Sequence, residues 1–140
     1  MRTPSLLKRP WILLIVAGGV FVLLVAGINS GQVRFHRYSE RSIFDNASVQ
    51  QSYGSYFDFR SDPTYVWHLD ADPQSIVARL NLSRYLPGDA SDSATAIDAI
   101  SEHIPNFSTT NELVYWRRGN GYKKFVLVTS NDVYFVLVHF

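Results

Sequence analysis

The residues of this chain best suited to chemistry fall in two places. The first is Trp67-His68-Leu69-Asp70-Ala71-Asp72, in which His68, Asp70 and Asp72 alternate. On a strand every second side chain points to the same side, so this spacing puts an imidazole and two carboxylates on one face. Such a donor set suits a divalent metal and a small metal-dependent hydrolase. Each of the three also has a structural explanation: Asp72 before Pro73 suits a helix N-cap, Asp70 a turn, and His68 a half-buried strand position. No second cluster supplies further ligands, so neither a metal nor any other cofactor is expected.

The second place is the stretch from Trp116 to Lys124. Arg117, Arg118, Lys123 and Lys124 flank one tight turn and stand beside Trp116 and Tyr122. Basic residues edged by aromatics can dock an acidic protein surface, an anionic headgroup or a nucleic acid strand. The competing explanation is a solvated hairpin tip whose lysines keep strand edges from pairing with other chains. His103, at a predicted helix end, reads as a partner of the helix dipole, and His139 stands beside the terminal Phe140. No serine sits in a nucleophile elbow, no glycine-rich loop precedes a helix, and no HExxH or Walker pattern occurs. The residue pattern therefore points away from an enzyme and names no catalytic residue.

Both segments must be held by a small α+β fold. Tyr56-Phe57-Asp58-Phe59 and Thr64 to Leu69 are two β-rich runs separated by Arg60-Ser61-Asp62-Pro63, the chemistry of a hairpin turn. Asp72-Pro73 starts a helix whose Ile76, Val77 and Leu80 share a face, and Leu86-Pro87-Gly88 forms the break after it. A second helix begins at Ser91 to Ser93, carries Ala94, Ile97, Ile100 and Ile104 at helical spacing, and stops at Pro105. Glu112 to Arg117, Tyr122 to Thr129 and Val133 to Phe140 then form a three-stranded antiparallel meander, with Gly and Asn at the joints to supply positive φ. The expected order is ββ-αα-βββ, a sandwich of one sheet and its helices over residues 53–140. The last strand is apolar on both faces, with Val133, Phe135 and Leu137 on one and Tyr134, Val136 and Val138 on the other. Two helices on one face would leave the second needing cover from residues 31–60, a second copy, a partner protein or the bilayer.

Trp11 to Ile28 reads WILLIVAGGVFVLLVAGI, without a charged, amide or hydroxyl side chain. As a helix it reaches about 27 Å, close to the ~30 Å hydrocarbon core of a bilayer. Lys8 and Arg9 can snorkel to headgroups, Trp11 takes an interfacial position, and Leu13, Leu14, Phe21, Leu23 and Leu24 face lipid. A cleaved signal peptide is the alternative, with Val25-Ala26-Gly27 as its small-residue site, although signal cores usually run about 7 to 15 residues. The span holds neither an ionisable group nor GxxxG, so it tethers without asking for a helix partner. Residues 1–10 read as a basic tail, 11–29 as the anchor and 30–52 as a juxtamembrane stalk, in which Arg34, Arg37 and Arg41 are placed to meet headgroups.

Lys8 and Arg9 close to the span favour a cytoplasmic N-terminus and an extracytoplasmic domain, on the inner membrane of a cell envelope. A formal net charge of +1 gives no global field toward nucleic acid, and the absence of cysteine excludes disulfides, thiolate metal sites and a cysteine nucleophile. The function expected is that of a membrane-tethered, non-enzymatic interaction or accessory protein, or an immunity-type toxin inhibitor. Its partners would be the bilayer and a protein, with no nucleic acid and no small-molecule ligand.

Overall fold

A computed structural model describes residues 10–28, 30–54 and 64–140. Lys8, Arg9, the 56–59 run and the 60–63 turn lie outside the described residues. The chain begins with the apolar helix α1 (Pro10–Ile28), none of whose residues is buried. It is a helix of membrane-spanning length near the N-terminus, compatible with an anchor.

The expected stalk is instead part of the folded domain. Ser30 caps a short helix α2 (Gly31–Tyr38), which is followed by a single turn, α3 (Arg41–Phe44), and an edge strand, β1 (Ser48–Tyr53). Phe35, Ile43 and Phe44 are 0–1 % exposed. Burying each contributes on the order of 1.5–3 kcal/mol, which no solvated tether provides. Alternation and helical spacing are blurred here because the elements are only a turn or two long. Arg34 is buried over the Tyr65 and Trp67 rings, at 5.6 and 5.8 Å, rather than placed against headgroups.

Beyond β1 the expected elements appear in order: β2 (Thr64–Asp70), α4 (Pro73–Asn81), α5 (Ala90–Ser101), β4 (Leu113–Arg118), β5 (Tyr122–Val128) and β6 (Val133–His139). Asp72 accepts from Ser75 N at 2.9 Å and Pro73 opens α4, as its type requires. For α5 the cap is Asp89, in a capping box with Asp92, and the helix ends at Ser101, ahead of Pro105. The Leu86-Pro87 break is used as a two-residue strand β3, which pairs with Tyr115 and Trp116 at a sheet edge where proline is tolerated.

The six strands form one antiparallel sheet in the order β1-β2-β6-β5-β4-β3, with the C-terminal meander at its centre. Gly121, at φ 76°, makes the first meander turn. The second uses no positive φ; Thr129 Oγ1 accepts from Asp132 N at 2.9 Å and Thr129 N donates to Asp132 O at the same distance.

Sheet cover depends on where the helices go. On one face Trp67, Val126, Phe135 and Leu137 pack beneath α2, α3 and α4. On the other Val66, Phe125, Leu127 and Val136 pack beneath Ala96, Ala99 and Ile100 of α5. Placing α4 and α5 on opposite faces lets one chain cover both sides of the apolar last strand. The cover expected for the second face of β6 thus comes from within the chain, in part from residues 31–44 as α2 and α3.

Candidate functional site

Register decides the fate of the basic hairpin. Arg117 pairs across from Lys124 and Arg118 from Lys123. Because neighbouring strand residues point to opposite faces, Arg117 and Lys124 stand on the α2 face while Arg118 and Lys123 stand on the α5 face. The patch expected from the sequence is divided by the sheet itself.

On the α2 face the Arg117 guanidinium pairs with Glu40, the residue before α3. Lys124 Nζ lies 5.7 Å from the Tyr122 ring, and burial pulls its ammonium below the usual lysine value, with Glu40 opposing. Burial likewise raises the Tyr85 hydroxyl, Glu40 adding to it, and lowers the His139 imidazole. Tyr85 Oη and His139 Nε2 are buried without a hydrogen-bond partner among the described residues, sites that suit internal water. On the α5 face Lys123 Nζ lies 2.6 Å from Asp92 Oδ1 and 4.3 Å from the centre of the Trp116 ring. The Arg118 guanidinium covers the Phe140 ring at 5.5 Å. Of the four cations only Arg118 is exposed, so the hairpin is chiefly a set of ties between the sheet and its covering helices.

The alternating trio is also taken apart. His68 Nε2 lies 2.7 Å from Asp132 Oδ1, and its ring stacks on Tyr134 at 4.7 Å. Asp72 caps α4, and Asp70 is exposed at the end of β2. Among the described residues no group of three His, Cys, Asp or Glu side chains is placed to hold a metal. Among the described residues His68 hydrogen-bonds Asp132 and no serine or threonine hydroxyl. His103 Nε2 lies 3.0 Å from the Thr64 carbonyl, a tie from the end of α5 to β2 rather than a simple dipole partner.

A different place is open. Between α4 and the ends of β4 and β5 runs a groove of about 700 Å³. The α4 start fixed by Asp72-Pro73 puts Gln74, Val77 and Asn81 along its wall, and Tyr115 Oη donates to Asn81 Oδ1 at 2.9 Å. Asn111, at φ 59°, turns the chain into β4 and sets Thr110 and Leu113 opposite; the Thr129-Ser130 turn closes the end. Leu113 is half exposed there. Among the described residues none that lines it is charged. A second, more polar groove of about 450 Å³ continues past Thr110, Thr129 and Ser130 to Asp132 and Tyr134.

The amide and hydroxyl groups of this lining can donate and accept hydrogen bonds, and Val77, Leu113 and Val128 offer apolar contact beside them. Sequence reasoning missed this groove. Thr110 and Asn111 carry no motif, Thr129 and Ser130 read as a strand end and its turn, and only the fold brings them to α4. Comparison with protein-family models, curated proteins and solved structures finds no match to this chain.

Proposed function

We propose that the protein is a single-pass, membrane-anchored interaction module without enzymatic activity, its N-terminus cytoplasmic and its domain on the outer side of the inner membrane. Within that reading it serves as an accessory subunit of an envelope complex, or as an immunity-type inhibitor, and the groove beside α4 receives an uncharged stretch of the partner. The observation that carries the proposal is the groove's composition: about 700 Å³ whose lining among the described residues is uncharged. A lining without acid, base or charged nucleophile favours binding over turnover. Two-sided cover of the sheet and the divided hairpin turn attention from the surfaces first favoured by the sequence.

The test is photo-crosslinking in intact cells from Ala78, exposed on the groove wall, with Asp98, on α5, as the control. A discrete adduct from Ala78, absent from Asp98 and abolished by Leu113→Glu, is the expected result. Equal labelling from both positions, or none from Ala78, would overturn the groove as the partner site. Protease protection in sealed vesicles reads the orientation separately; a domain found on the cytoplasmic side would overturn the envelope placement.

A further inference from the structure

We infer that α2 is an interfacial helix whose Val33, His36 and Arg37 side lies against anionic phospholipid headgroups. The inference rests on the reading of α1 as an anchor and goes beyond it by assigning a lipid-facing surface to the folded domain. Its basis is the shortness of the connection and the seat of α2 on the sheet.

α1 ends at Ile28 and α2 begins at Gly31. Across the junction Ser30 N donates to Gly27 O at 3.2 Å, and Ser30 O accepts from Arg34 N at 3.0 Å as the opening bond of α2. The second helix is then fastened to the sheet. Trp67 Nε1 donates to Gly31 O at 3.0 Å, Val49 N donates to Gln32 Oε1 at 2.7 Å, and Phe35 is 0 % exposed. A Cβ at Gly31 would overlap the Ser52 side chain, so glycine permits this close seat on β1.

Three Cα–Cα steps separate Ile28 from Gly31 and reach at most about 11 Å, and the Ser30–Gly27 hydrogen bond holds the turn shorter than that limit. The polar layer on each side of a bilayer is roughly 5–7 Å deep, from a core of ~30 Å within a total of 40–45 Å. With α1 spanning the core, the first turn of α2 is therefore held at the headgroup region or directly beside it. On α2, Val33, His36 and Arg37 stand at i, i+3 and i+4 on the side away from the core, while Arg34 and Phe35 are buried. A half-exposed valine beside the polar His36 ring, which is hydrogen-bonded to the Gln32 amide at 2.6 Å, and the Arg37 guanidinium is an arrangement that settles at the boundary between acyl chains and phosphates.

The chain has no cysteine, so single-cysteine labelling of the full-length protein in vesicles is clean. A fluorophore is placed at Val22→Cys in α1, Val33→Cys in α2 or Asn131→Cys in the exposed β5–β6 turn, with nitroxide lipids labelled at mid-chain or headgroup. The expected pattern is mid-chain quenching at position 22, and headgroup quenching several-fold stronger at 33 than at 131. With Arg37→Glu, the position 33 signal should fall in phosphatidylglycerol-containing vesicles and stay unchanged in pure phosphatidylcholine. Quenching at 22 with position 33 no stronger than 131 overturns the interfacial helix and leaves the anchor standing. No mid-chain quenching at 22 overturns the anchor and the inference together, and an Arg37→Glu effect equal in both lipids overturns the anionic assignment.

Discussion

Phe35→Ala separates a folded α2 from a stalk most directly. Phe35 is 0 % exposed, with ring centroids 5.5 Å from Phe44 and 5.6 Å from Phe135, both edge to face. Removing a fully buried phenylalanine costs about 3–5 kcal/mol, of which the lost edge-to-face contacts are part. In a domain of about a hundred residues each kcal/mol moves Tm by about 4–8 °C, so the midpoint should fall by roughly 12 °C or more. That is a large share of the 5–15 kcal/mol that usually separates folded from unfolded states. The assay is thermal unfolding of full-length protein in detergent, followed by tryptophan fluorescence, since Trp67 lies 6.3 Å from Phe35 between ring centroids. Val33→Ala, on the half-exposed side of the same helix, is the control and should change stability by less than about 0.5 kcal/mol. A Phe35→Ala midpoint within a degree or two of the wild type would refute the packing of α2 into the core.

Acidification should destabilise the domain in two stages. The folded state holds His139 below its ordinary value of 6.5 through burial, so the unfolded chain binds the proton first and stability declines as pH falls through that value. Asp92 is lowered because its bonds to Lys123 and Asp89 outweigh burial, and Glu112 because the Ser93 hydroxyl donates to it. Their contributions are complete above the ordinary values of 3.8 and 4.5 and are lost as pH drops through the depressed folded ones. Urea midpoints measured from pH 8 to pH 3 should show both stages, and His139→Gln should remove the upper one; its persistence in that variant would contradict the assignment. His68→Ala should cost about 1–2 kcal/mol through the lost Asp132 bond and Tyr134 stack while leaving metal content unchanged by elemental analysis. Stoichiometric metal that disappears in this variant would restore the hydrolase reading.

The amino-acid sequence alone determined those features whose physics acts over a few residues. Eighteen consecutive apolar side chains make α1, Asp72-Pro73 starts α4, and the alternation of aromatic and β-branched residues after Glu112 makes the meander with ends correct to a residue. The same local signals were silent on residues 31–53, where each element is too short to show its period although Phe35, Ile43 and Phe44 lie at the centre of the core. They also joined residues that the fold separates. Four basic residues adjacent in the chain look like one patch, yet the two-residue period of a strand and the Arg117–Lys124 register put them on opposite faces, where Glu40 and Asp92 meet two of them. His68 and Asp72 share a parity in sequence, but Asp132, sixty-four residues away, takes the histidine, and the α4 backbone takes the aspartate. Which face each helix covers, and which turns gather at the groove, are set by contacts between distant segments. Only the tertiary structure could decide them, because burial on a two-faced sheet is a property of what lies across it.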